Sequence, residues 1–294
     1  MLAQPAERIA QPAVRIARCR RAMGVLRVAA VQLRVSRDRA SNLRRAAELI
    51  DAAAADGAQF VALPECFTGK YGVDLFHGHR EALAADADGA AAASGSAVLA
   101  AAAKRHGVVA TGGVIEEHAG KLYNTMPVYG PDGALVAAYR KVHLSRVLGI
   151  TSESDVLEAG DEATAFEAGG VRVGMACCFD LRFPEWLRRH GPRGAAPADV
   201  VCAPSAFLDV TGRDHWDLLL RRTALDGQAF VVGPNVAHDA EDAVPLHGRS
   251  AVVSPWGDVL AQCGADADDL AVADVSTDRV AEVRAKLPLA DWAE

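Results

Sequence analysis

A carboxylate, an amine and a thiol stand at the ends of three apolar segments that read as strands. Glu65 closes QFVALPE, Lys141 follows ALVAAYR, and Cys178 closes VRVGMACC before the chain turns at FDLRFPEW. In layered α/β proteins, functional side chains gather at the carboxyl edges of strands. An acid, an amine and a thiol are the parts needed to attack an acyl carbon and expel ammonia. A thiol is mostly protonated at neutral pH, and only the thiolate attacks well. A nearby carboxylate can take its proton, and a nearby ammonium lowers its pKa. Glu65 is therefore a natural general base for a thiol at the end of VRVGMACC. Attack on an amide carbonyl makes a tetrahedral oxyanion, to which Lys141 and the backbone N–H of Phe179 can donate. One such donor is typically worth ~10²–10³ in rate. Glu65 would return the proton to the leaving nitrogen, and water activated by the same carboxylate would hydrolyse the thioester.

Each residue also has a plainer reading. An acid after Leu-Pro is commonly a solvated loop residue, and a lysine in YRKVHL an exposed strand end. A buried cysteine is commonly a small hydrophobe. His143 offers a Cys-His alternative, since alternation along a strand puts it on the same face as Lys141. His77-Gly78-His79 is a weak metal signal with no partner acids at useful spacing. Taken alone, these residues leave open which of Cys177 and Cys178 attacks.

The elements that would position them alternate between strand and helix. VLRVAAVQL is read as a buried strand, and SRDRASNLRRAAELIDAAAADG as a helix with polar caps and a closing Gly57. A second helix spans Ser94 to His106. VVATGGVIEE, KLYNTMPVYG and ALVAAYRKVHL read as three strands separated by HAG and PDG turns. VRVGMACC is a strand, PEWLRRHG a helix with proline in its first turn, DVVCAPSAF a strand and DHWDLLLRRTALDG a helix. QAFVVGPNV, GRSAVVSPWGDVLAQC and DLAVADV read as strands, and a final helix covers Thr277 to Lys286. With hairpins mixed among the alternating elements, the pattern predicts α/β architecture: helices outside two mixed sheets packed face to face.

The 294 residues fit one large α/β domain, and 51% hydrophobic against 23% charged residues provide a sizeable core. A net charge of −7 argues against a nucleic-acid partner. Six cysteines, at 19, 66, 177, 178, 202 and 263, show neither metal spacing nor a disulfide framework. They read as reduced thiols in a cytoplasmic protein. No apolar run is long enough to span a bilayer. Residues 1–24 are arginine-rich and lack an apolar signal core. They read as a disordered arm, or as an extension upstream of a start at Met23, ahead of a single domain over 25–294.

LPECFTGKYG, GKLYNTMPVYGPDGALVAAYRKVHL, SESDVLEAGD and VGMACCFDLRFPEW occur in this order. Together they resemble the nitrilase superfamily of carbon–nitrogen hydrolases, from about Val25 to about Pro288. The likeness is greatest to the omega-amidase branch and relatives acting on deaminated glutathione. It implies a four-layer α-β-β-α sandwich and a Glu-Lys-Cys triad in chain order: Glu65 as base, Lys141 as oxyanion-stabilising amine, Cys178 as nucleophile. Cys178 is singled out because the family's nucleophile directly precedes an aromatic and an acid, here Phe179 and Asp180. Cys177 falls where relatives carry apolar core residues. Glu153 matches a second glutamate that orients the lysine and helps hold the amide nitrogen. No cofactor and no metal are implied, and relatives pair through helices, so at least a homodimer is expected.

The resemblance implies a small amide substrate, carboxylate-bearing in omega-amidases. A carboxylate calls for a cation or several N–H donors. Arg182, Lys70 and Tyr71 are candidates, with Phe207 lining the acyl side. Arg182 could equally form a structural salt bridge with Asp180. The loop from Ser145 to Ser152 is shorter than in typical omega-amidases, Gly227 replaces a usual asparagine, and the basic, tyrosine-bearing tail of many relatives is missing. The same triad could serve a deaminated-glutathione amidase, an N-carbamoyl hydrolase or a nitrilase, although nitrilases usually carry Trp where this chain has Phe179. An acyl transferase and a catalytically silent binding protein are the readings outside hydrolysis.

Overall fold

The computed structural model describes residues 24–87, 94–147 and 151–291. The arm expected over residues 1–24 lies outside these, apart from Gly24. Two mixed sheets form the centre. In the first, Val25–Gln32 pairs antiparallel with Asp269–Ser276 and parallel with Phe60–Ala62, which pairs parallel with Val109–Thr111. Lys121–Tyr129 continues this sheet antiparallel and also pairs with Val114–His118 and Leu135–Arg140. In the second, Val171–Met175, Val200–Cys202 and Phe230–Gly233 run parallel, flanked by antiparallel Ala165–Ala168 and the Ala251–Val253/Val259–Gln262 hairpin.

Period-two alternation along the strands builds the layers. Leu26, Val28 and Ala30 face inward and pack with Val173, Met175, Val200 and Cys202 of the second sheet. Ala29, Val31 and Leu33 face outward, onto Leu43, Ala46 and Ile50 of helix Arg39–Ala55 and Leu99 and Ala103 of helix Gly95–His106. Helix Asp209–Gly227 covers the other side with Trp216, Leu220 and Ala224. The order is α-β-β-α, as the sequence pattern predicts.

Capping fixes the helix boundaries. Asp38 accepts from Ser41 N–H and Ser94 from Ala97 N–H, while Gly107 closes the second helix in the left-handed conformation. Several elements differ from the sequence-based reading, three of them in ways that bear on the site or its packing. VVATGGVIEE divides into two strands at Gly112–Gly113. ALVAAYRKVHL leaves the sheet after Arg140. The late helix begins at Asp209, several residues before Asp214, and runs through Gly212. A Cβ at 212 would lie 2.3 Å from the His247 ring, so the glycine serves close packing rather than helix breaking.

The central parallel strands of both sheets end at one edge, where backbone bridges Leu33–Val236 and Ser205–Asn235 form. The segments that follow those strands carry Glu65, Cys178 and Ala206.

Candidate active site

Three loops deliver the reactive groups. After Phe60–Ala62, the Glu65 loop closes through Gly113 N–H to Pro64 O at 2.9 Å and Phe67 N–H to Gly113 O at 3.2 Å. A Cβ on Gly113 would stand 2.6 Å from Glu65 Cα, so only glycine lets the two backbones approach so closely. Lys141 follows the strand Leu135–Arg140, and its N–H still donates to Asn124 O at 2.8 Å. Cys178 lies just past Val171–Met175, with its N–H on Pro204 O at 3.0 Å and φ at +44°. Left-handed backbone at a non-glycine residue costs on the order of 1–3 kcal/mol and persists only where the surroundings impose it. Here it turns the strand sharply into the short 3-10 segment Cys178–Arg182.

Glu65, Lys141 and Glu153 meet in one fully buried cluster. Lys141 Nζ lies 2.8 Å from Glu65 Oε1 and 2.8 Å from Glu153 Oε2. Glu153 Oε2 also accepts the Ser145 N–H at 2.6 Å, which anchors the start of the loop that follows. Glu65 Oε1 accepts from Lys141, from Asn124 Nδ2 at 2.7 Å and from Cys177 Sγ at 3.3 Å. Glu65 Oε2 accepts from the Ala206 N–H at 2.7 Å. Burial alone would push the Glu65 carboxyl up, but the Lys141 ammonium and these donors hold it below the ordinary carboxylate range. Burial would likewise pull Lys141 down, and Glu153 and Glu65 hold it well above the usual lysine value. The resting cluster is thus one ammonium between two carboxylates.

Cys178 adjoins this cluster. Burial and the Glu65 charge push its thiol well above the ordinary value, against the pull of Lys141. The same Ala206 N–H that holds Glu65 Oε2 bears on the Cys178 sulfur. Oε2 is the Glu65 oxygen with fewer donors, so it is the one placed to receive a proton. Such an arrangement favours transfer during attack over a standing thiolate. Its pH dependence follows. A carboxyl depressed in the folded state contributes stability that is complete above its unfolded pKa and lost as pH falls through the folded value. Loss of Glu65 ionisation is likewise expected to set the acid limb of kcat/KM, below the ordinary carboxylate range. The profile should stay level from about pH 6 to 8. A limb near pH 6.5 would point to histidine instead, and one near 8.5 to a pre-formed thiolate.

The other sequence candidates fall in different places. Cys177 is buried in the core between the sheets, but it is not only an apolar filler, because its thiol donates to Glu65. Cys177→Ala is expected to cost about 1 kcal/mol of stability and to lower kcat/KM by no more than severalfold, measured by urea unfolding and steady-state assay. The Arg182–Asp180 salt bridge does not form. Asp180 is fully buried and accepts from Tyr139 Oη at 2.7 Å, Cys177 N–H at 2.8 Å, and both the N–H and Nδ1 of His143 at 2.9 and 2.7 Å. Those donors use up its carboxylate. Arg182 instead donates to His215 Nδ1 at 3.2 Å and lies 5.1 Å above the Phe207 ring. His143 also stacks on Phe183 at 3.7 Å, so it ties the Lys141 segment to the Cys178 turn.

Tyr71 bonds Ser145 Oγ at 2.6 Å, next to the anchor of Glu153. Lys70 pairs with Asp242 and lines an outer cavity of about 420 Å³ with Tyr71 and Arg37. Phe207 is buried against Trp216 and beneath Arg182. Among the described residues, no group of three His, Cys, Asp or Glu side chains is arranged to hold a metal ion. Sequence reasoning missed Asn124, the bracing contacts of Asp180, and the Ala206 N–H. The Asn124 signal was a polar residue inside the apolar run of KLYNTMPVYG. A backbone donor leaves no sequence signal.

The carbon-nitrogen hydrolase family model matches residues 27–285. Omega-amidase NIT2 of Bos taurus is 38% identical over 272 residues, covering 91% of this chain and 94% of its own length. The Homo sapiens omega-amidase NIT2 is 37% identical over the same shares. Nit3 of Saccharomyces cerevisiae, from branch 10 of the nitrilase superfamily, superposes with a TM-score of 0.78 at 31% identity, over 90% of this chain and 95% of its own. A carbon–nitrogen hydrolase superfamily protein from Xanthomonas campestris, with an arsenic adduct in its active site, gives a TM-score of 0.80 at 26% identity, over 92% of this chain and 98% of its own.

Proposed function

The chain belongs to the carbon–nitrogen hydrolase family, and from that membership we propose that it hydrolyses small, carboxylate-bearing amides to acid and ammonia through a thioester on Cys178. The observation that carries this reading is Lys141 held between Glu65 and Glu153 beside a cysteine in a left-handed turn. Glu65 Oε2 takes the thiol proton as the sulfur–carbon bond forms. The oxyanion is met by Lys141 Nζ and the Phe179 N–H. The carbon–nitrogen bond then breaks, the nitrogen takes the proton from Glu65, and ammonia leaves. Water attacks the thioester, gives its proton to Glu65, and the released sulfur regains a proton as the acid departs. Glu153 keeps Lys141 aimed throughout.

The names of the relatives support an omega-amidase substrate, a dicarboxylate carrying one terminal amide. Arg182 is the group best suited to a distal carboxylate. It is half-buried, its pKa is lowered by burial, and an anionic partner would relieve that cost. Phe207 beneath it, together with Tyr71, would line the acyl chain. The test is ammonia release from 2-oxoglutaramate, 2-oxosuccinamate, deaminated glutathione and simple aliphatic amides. Turnover should be highest on the first two, and Arg182→Met should raise KM for them about tenfold or more. Preference for an uncharged aliphatic amide would overturn the carboxylate assignment.

Two further readings accompany this one. The described cysteines are all free and buried, which supports a reducing, cytoplasmic location. Leu218 and Leu225 of the late helix and the nearby Trp256 are exposed large apolar side chains, which supports at least a homodimer. Sedimentation at micromolar concentration should give twice the chain mass or more, and a monomer there would contradict it.

A further inference from the structure

We propose that Asn124 is a positioning residue of this site: its side-chain amide spans the two carboxylates that flank Lys141 and fixes Glu65 as the base. The proposal rests on the roles given above to Glu65 and Cys178.

Asn124 lies in the strand Lys121–Tyr129, between two neighbours. Thr125 pairs across to Arg140, and the Lys141 N–H donates to Asn124 O. Asn124 and Lys141 are therefore cross-strand neighbours whose side chains point to the same side. Alternation sends Thr125 the other way, onto Glu116, which also takes both arms of Arg140. The strand thus separates a structural ion pair from the reactive cluster.

Within that cluster, Asn124 Nδ2 donates to Glu65 Oε1 at 2.7 Å and lies 3.4 Å from Glu153 Oε1. One ammonium cannot neutralise two buried carboxylates, and their mutual repulsion favours protonation of one of them. A second cation would quiet that repulsion but would make Glu65 too weak a base. An amide donor stabilises the ionised form without adding charge. It also occupies Oε1, which leaves Oε2, held by the Ala206 N–H, as the oxygen with fewer donors.

The other end of the same amide supports this reading. Asn124 Oδ1 is buried and meets no donor among the described residues. The side-chain hydrogen bonds of Asn124 among these residues are all at its donor end, on the two carboxylates.

The test uses Asn124→Ala and the near-isosteric Asn124→Asp, which lacks the N–H donors. Two profiles against pH are measured: kcat/KM for ammonia release, and the rate of Cys178 alkylation by iodoacetamide, followed by peptide mass. In both variants the acid limbs should move upward by about one pH unit. At neutral pH kcat/KM should fall about 10- to 100-fold, mainly in kcat. The alkylation profile needs no substrate. If the wild-type protein turns over no amide, the functional reading has failed, and alkylation still decides the role of Asn124. Acid limbs that superimpose on the wild type in a folded variant would overturn the proposal. So would a failure of both variants to fold, since Asn124 would then be a structural residue.

Discussion

Cys178→Ala is expected to lower kcat for ammonia release by on the order of 10⁴–10⁶-fold, as removal of a covalent nucleophile does elsewhere, while the protein stays folded. The two effects separate because the thiol contributes little to packing. It is small, and its left-handed backbone is imposed by the strand pairing on either side and by the Cys178 N–H on Pro204 O. Alanine keeps that strained conformation and loses only the sulfur. Glycine at the same position relieves the strain, so Cys178→Gly should be more stable than Cys178→Ala by about 1 kcal/mol and equally inactive. Urea unfolding alongside the ammonia assay checks both halves. Cys177→Ala is the matched control, one residue away, and retains most of the activity.

Lys141→Met has the second large effect, and it reaches stability as well as chemistry. Lys141 is the ammonium shared by two fully buried carboxylates. Methionine fills a similar volume but leaves Glu65 and Glu153 without their cation. Breaking a buried pair in this way typically costs ~3–5 kcal/mol. The sign of the pH dependence follows from the direction of the shift. Without Lys141, burial raises the Glu65 carboxyl above its unfolded value, so stability is lost as pH rises through that raised value. The gap between variant and wild type should therefore widen from pH 4 toward neutrality, a range set by ordinary carboxylate values of about 4. Activity should fall by at least ~10²–10³, the worth of one oxyanion donor. Urea midpoints measured across pH, together with kcat, test this. A gap that narrows toward neutral pH would show that Lys141 is not what keeps Glu65 ionised.

Much of the fold was legible because strand and helix periods survive even in an alanine-rich chain. Leu26, Val28 and Ala30 on one side of a strand, and Ala29, Val31 and Leu33 on the other, announce a strand buried on both faces. The caps at Asp38 and Ser94 and the stop at Gly107 follow from side-chain chemistry alone. Glycines misled twice, for the same physical reason. Gly112–Gly113 reads as strand interior, and the late helix reads as starting at Asp214, beyond Gly212. Each answers to a neighbour distant in sequence, the Glu65 loop in one case and His247 in the other.

The site divides in a similar way. Glu65, Lys141 and Cys178 stand at strand ends, where a reactive side chain is conspicuous. Glu153 is one acid among several in SESDVLEAGD, and only resemblance to the family distinguished it. Asn124 and Asp180 act through partners on other segments; a polar residue inside the apolar run of KLYNTMPVYG is the only local mark of the first, and nothing local shows what the second holds. Arg182 looked like a partner for Asp180 because the two are close in sequence. The carboxylate was already occupied by Tyr139, His143 and the Cys177 N–H, which no spacing rule reveals.

The most direct measurement is the mass of the protein during turnover. Acid quench in the presence of 2-oxoglutaramate, followed by intact-mass analysis and peptide mapping, should reveal the acyl group as a thioester on Cys178. That adduct should appear in the wild type and in Cys177→Ala and be absent from Cys178→Ala. An acyl group carried by Cys177, or one that persists in Cys178→Ala, would contradict the assignment of the nucleophile and the account built on it.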